Sequence, residues 1–129
     1  MNKGLVLGCM LLGLAACAPH TGGIMTSSTG EVRVDNGSFH SDVDVSGVTT
    51  QAEVGFLRAR ATVISKAATD LHLQYKFTWY DINGATVEDE GVSWKALKLH
   101  GKQQMQVTAL SPNATAVRCE LYVREAISN

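Results

Sequence analysis

His40-Ser41-Asp42-Val43-Asp44 sets an imidazole and two carboxylates at alternate positions, and an extended chain would turn all three to one side. This is the best metal-ligand candidate in the sequence. On an exposed loop or edge strand such groups are solvated rather than coordinated, so no metal is assigned to them. The other histidines, His20, His72 and His100, stand far apart and lack the close spacing of zinc sites. Glu88-Asp89-Glu90 offers an acid and a base of the kind hydrolysis uses, but adjacent carboxylates after a turn read as an exposed charge run. Ser93 and Ser111 sit outside any Gly-x-Ser-x-Gly elbow, and no histidine is marked as their base. The sequence therefore predicts neither an enzyme nor a cofactor.

Cysteine chemistry is more informative. Met1-Asn2-Lys3 precedes an almost uncharged apolar run from Gly4 to Ala16, followed by Cys17, which is the plan of an export signal. The run is too short for a spanning helix, which needs about 20 residues. An ordinary secretory signal cut near Ala16 fits the small residues here. Leu14-Ala15-Ala16-Cys17 also resembles the bacterial lipobox, with an aliphatic residue three places before the cysteine and small residues between. That resemblance implies a diacylglyceryl thioether on Cys17, cleavage before it and acylation of the new amino terminus. Cys9 is a poorer match, because bulky Leu7 precedes it and the apolar run before it is short. Ala18 follows Cys17 where an aspartate would imply inner-membrane retention, so the resemblance implies an outer-membrane anchor facing the periplasm.

Three segments follow. Residues 1–16 are the expected lipoprotein signal peptide, and residues 17–30 the lipidated cysteine with a flexible tether rich in Gly, Ser and Thr. Residues 31–129 are the expected folded domain. Thirteen extended residues from Ala18 to Gly30 would span at most about 40–47 Å. With Cys9 cleaved off and Cys17 acylated, Cys119 is the one remaining thiol and is expected to be buried.

Composition sets outer bounds. A chain of 129 residues with 45% hydrophobic and 18% charged residues fits one globular domain. Its formal net charge of −1, shifted further negative when Lys3 leaves with the signal, excludes the basic face that nucleic-acid binding needs. The membrane contact is therefore expected through the lipid at Cys17 alone.

From Glu31 onward the hydrophobic pattern has period 2. In Leu71-His72-Leu73-Gln74-Tyr75-Lys76-Phe77-Thr78-Trp79-Tyr80 every position obeys the alternation. Strands are expected near 32–35, 43–49, 55–65, 71–80, 92–99, 103–110 and 116–124, separated by turns such as Asp81-Ile82-Asn83-Gly84 and Asn36-Gly37. About seven short strands predict an all-β, antiparallel, immunoglobulin-like β-sandwich. Trp79 and Trp94 are expected in its core. Tyr80 and Tyr122 fall on polar phases and are read, with Arg58, Arg60 and Lys76, as a candidate binding surface.

Tyr75-Lys76-Phe77-Thr78-Trp79-Tyr80-Asp81 with Asn83-Gly84, then Trp94, Leu97, Leu99 and the Leu121-Tyr122-Val123 strand, resembles YcfL-like bacterial lipoproteins. The resemblance covers residues 71 to 124. It implies a periplasm-facing lipoprotein with a sandwich fold, and brings no catalytic residues with it. The expected function is a non-catalytic accessory module that binds an envelope protein. The alternative is a module for peptidoglycan fragments or a metal ion.

Overall fold

The alternation in residues 71–80 builds a central strand of the structure, a computed structural model that describes residues 22–87 and 94–126. In chain order the elements are β1 (Ile24–Ser27), β2 (Val32–Val34), α1 (Gly37–Asp42), β3 (Val43–Val45), β4 (Thr49–Glu53), β5 (Phe56–Ser65), β6 (Leu71–Tyr80), β7 (Lys95–Leu99), β8 (Gln104–Leu110) and β9 (Arg118–Glu125). One sheet runs β2-β1-β9-β6-β7. In the other, β5 is central, with β8 along one edge and β3 and β4 sharing the opposite edge. All pairings are antiparallel, and the expected all-β sandwich is the fold that forms.

The core lies where the apolar phases of the two sheets meet. Leu73, Phe77 and Trp79 of β6 and Cys119, Leu121 and Val123 of β9 pack with Ala59, Ala61 and Val63 of β5 and Val107 of β8. Ile24 closes the layer from β1, and Leu97 and Leu99 from β7. Cys119 is fully buried, and burial pushes its thiol up to about 12, so it packs as a small apolar side chain.

Three expectations are corrected. The stretch read as tether folds in its second half: Ile24, Met25, Thr26 and Ser27 are all buried, and β1 pairs with β9 on one side and β2 on the other. Its hydrogen-bonding neighbours, not its Ser- and Thr-rich composition, decide its state. Next, residues 37–42 form a helical turn. The Asn36 side chain caps it, accepting from the Ser38 and Phe39 backbone N–H groups at 3.0 and 3.2 Å, and Phe39 is buried. His40 and Asp42 therefore lie on a helix and Asp44 on β3, so the one-sided trio does not form. Finally, the single strand expected at 43–49 is two. Its Ser46 backbone N–H donates to the Thr62 carbonyl at 2.9 Å and its hydroxyl accepts from the Thr62 N–H at 2.8 Å, and Val48 then turns into the core.

Val54 and Gly55 link β4 to β5 with φ of 50° and 84°. Two consecutive positive values are the geometry of a two-residue hairpin turn that favours Asn-Gly. Valine is poorly suited there, since a β-branched side chain crowds the backbone, and Val54 is 94% exposed, so burial offsets none of the strain. Val54→Asn is expected to stabilise the fold by about 1 kcal/mol. Urea unfolding checks this; an unchanged or lower midpoint would show that the turn is unstrained.

Candidate functional site

The polar phases of β6 and β9 face away from the core and lie side by side. Gln74 pairs with Arg124, Lys76 with Tyr122, Thr78 with Glu120 and Tyr80 with Arg118. The Lys76–Tyr122 row continues across β1, where Met25 lies beside Tyr122, to Arg33 of β2. On the other side Tyr75 pairs with Lys95, so the preceding residue, Trp94, reaches the outer face next to Lys76.

Around that indole the side chains converge. The Arg124 guanidinium lies 3.7 Å from the Trp94 ring centroid and the Lys76 ammonium 5.6 Å from it. Tyr122 meets the same ring edge-on, with centroids 5.6 Å apart and planes at 79°. Cations over an indole gain about 0.5–2 kcal/mol depending on desolvation, enough to hold a long side chain in place. Arg124 is fixed further by its Nε, which donates to the Gln74 side-chain oxygen at 3.2 Å. Lys76, Thr78, Trp94, Glu120, Tyr122 and Arg124 enclose an open depression of about 310 Å³.

Charge is divided unevenly along this face. The Tyr80 hydroxyl donates to Glu120 at 2.9 Å, and Arg118 lies 3.5 Å from the same carboxylate while stacking 4.1 Å over the Tyr80 ring. Glu120 is thus satisfied by its neighbours. The Tyr122 hydroxyl donates to Asp35 at 2.7 Å; this bond, together with Arg33 at 2.9 Å, holds the Asp35 carboxyl below the usual range. Burial and the adjoining carboxylate push the Tyr122 phenol up. Because Asp35 is held ionised in the folded state, its contribution is present at neutral pH and is lost as pH falls through the carboxylate range. Among the described residues, Lys76 and Arg124 have no carboxylate partner within 4.0 Å.

Residues 30–125 match the profile of the family described as protein of unknown function (DUF1425). The chain belongs to the DUF1425 family. A crystal structure of a DUF1425 family member from Shewanella sp. pv-4 is 90% identical, with a TM-score of 0.64, and covers 84% of this chain and 100% of that one. A Campylobacter jejuni protein, cj0090, shares the fold at 20% identity and a TM-score of 0.52, covering 67% of this chain and 88% of that one. No curated protein matches the chain.

The DUF1425 domain brings together some of the expected site residues and separates others. Tyr80, Tyr122 and Lys76 share the outer face of the five-stranded sheet. Arg58 and Arg60 lie on β5 of the other sheet, so the two arginines cannot join the tyrosines in one surface. Arg58 is bound instead to Glu53 across the β4–β5 hairpin, at 2.7 and 3.2 Å. Trp94, expected in the core, is half-buried on the outer face. Arg124 was not singled out by its sequence; its phase, shared with Tyr122, is the signal that could have found it.

The remaining candidates have other roles or positions. Ser111 is buried, and its hydroxyl accepts from the Leu57 N–H at 3.0 Å and donates to the Asn113 carbonyl at 3.0 Å, holding the β8–β9 loop. A second pocket, of about 600 Å³, opens where α1 meets the ends of β6 and β9, lined in part by Asp42, Asp70, His72 and Glu125. No group of three or more His, Cys, Asp or Glu able to hold a metal ion occurs among the described residues. Cys17, Glu88-Asp89-Glu90 and Ser93 lie outside the described residues, as does the start of the strand expected at 92–99. No helix among the described residues is long and apolar enough to cross a membrane.

Proposed function

We propose that this DUF1425 chain is a YcfL-like, lipid-anchored and non-catalytic binding module at the periplasmic face of the outer membrane. Its five-stranded sheet docks an envelope protein through the outer face. The observation that carries this reading is the gathering of Trp94, Tyr122, Arg124 and Lys76 around one open depression. Tryptophan, tyrosine and arginine are the residue types that dominate binding energy at protein interfaces. Here they are held by their own neighbours, which lowers the entropy cost of docking.

The anchor is read from Leu14-Ala15-Ala16-Cys17. With β1 folded, only Ala18–Thr21 separate Cys17 from the first described residue, Gly22. Those five steps reach at most about 18 Å, so the domain stands close to the lipid headgroups and meets partners at the membrane surface. Three acyl chains hold it there, each buried methylene contributing about 0.8 kcal/mol.

Two variants test the reading. Cys17→Ser is expected to move the protein from the membrane fraction to the soluble periplasm. Trp94→Ala is expected to leave it membrane-bound while its partner no longer co-purifies. Membrane retention of the Cys17→Ser protein would contradict the anchor, and undiminished co-purification with Trp94→Ala would contradict the docking face.

A further inference from the structure

We infer that the segment received by this face is an extended acidic stretch of a protein, with a carboxylate seated on the Arg124 guanidinium beside Lys76. The inference rests on the docking role proposed above and names the chemistry of the partner. Arg124 is prepared for such a group. Its Nε is committed to Gln74 and its guanidinium carbon sits 3.7 Å from the Trp94 ring centroid, while its two Nη groups make no hydrogen bond among the described residues. A guanidinium fixed in this way offers the fork that carboxylates accept in bidentate fashion. Lys76 supplies a second positive charge over the same ring, and the Thr78 hydroxyl in the depression makes no hydrogen bond among the described residues.

The Glu120 carboxylate, which lines the depression, does not compete, since it is held by Tyr80 and Arg118. Shape favours an extended chain. The lining residues of β9 run from Glu120 to Arg124, about 13 Å of strand, along an open depression and not a closed cavity. A stacked sugar is disfavoured, because the Arg124 guanidinium already covers the Trp94 ring at 3.7 Å.

Fluorescence anisotropy with labelled octaglutamate and octaglutamine peptides, titrated with the full lipidated protein in detergent micelles, tests this directly. The wild type is expected to bind octaglutamate and not octaglutamine. Arg124→Gln and Lys76→Gln should each weaken binding by about tenfold or more. Arg58→Gln, on the other sheet, should change it by less than about twofold. Far-UV circular dichroism reports whether each variant is folded, and Lys76→Gln carries the test if Arg124→Gln is not. Equal binding of the two peptides overturns the inference, as does an Arg58→Gln loss equal to that of Arg124→Gln. Displacement of the peptide by purified peptidoglycan sacculi overturns it too, by assigning the site to the cell wall. If a protein partner is captured at this face while octaglutamate fails to bind, the acidic ligand falls and the docking role stands.

Discussion

Leu121→Ala is expected to lower the unfolding free energy by about 2–5 kcal/mol, the usual cost of truncating a buried leucine. Leu121 is wholly inaccessible to solvent at the middle of β9, opposite Phe77 of β6 and Thr26 of β1. The alanine removes three carbons, Cγ and its two methyls, from a layer that two flanking strands and β5 hold in place, so the gap cannot close by a simple side-chain shift. Most of the transfer and cavity terms should therefore appear in the measured value. Urea or thermal unfolding of the domain reads it, and a loss below about 1 kcal/mol would show that the sandwich relaxes around the site.

Gly23→Ala tests the largest correction to the sequence reading. The backbone of Gly23 packs so closely on β9 that a Cβ would overlap the Val123 carbonyl oxygen, a fixed backbone atom that cannot give way. The Gly23 carbonyl also accepts the Asp35 N–H at 2.9 Å, tying the entrance of β1 to the end of β2. Alanine should push β1 off its neighbours at a cost of about 1–3 kcal/mol, as overpacking does. Unfolding experiments combined with hydrogen exchange at the β1 amides give the readout: lower stability with faster exchange at residues 24–27. A silent substitution is the result expected of a tether, and it would restore the original boundary at residue 31.

The parts of the fold legible in the sequence are those fixed by local alternation. β6 spans residues 71–80 in both readings, because ten consecutive positions keep phase and the Asp81 turn ends them: its carboxylate accepts the Asn83 and Ala85 N–H groups at 2.9 and 3.0 Å, and Gly84 takes a positive φ of 82°. Cys119, expected to be buried, is fully inaccessible on β9. β1 was not legible. Thr26 and Ser27 are polar residues buried on one side by β9, more than 90 positions away in the chain, and composition carries no trace of that pairing. α1 was hidden because Asn36-Gly37 signals a turn as readily as a helix cap.

The site was half legible for the same reason. Alternation identified Tyr80, Tyr122 and Lys76 as outward residues, and it identified Arg58 and Arg60 as outward too. Which sheet a strand joins is a long-range property, and β5 joins the other one. Trp94 precedes β7, so its face is set by the pairing of Lys95 with Tyr75, two residues that no local pattern links.

Site-specific photo-crosslinking in the anchored protein shows whether the outer face around Trp94 docks a protein. A benzophenone side chain is placed in turn at Thr78, in the depression beside Trp94, and at Thr108, on the outer face of β8 in the other sheet. Docking at this face predicts a discrete protein adduct from Thr78 that disappears with Trp94→Ala, and none from Thr108. An adduct from Thr108 alone, or one from Thr78 that persists without the indole, would contradict it.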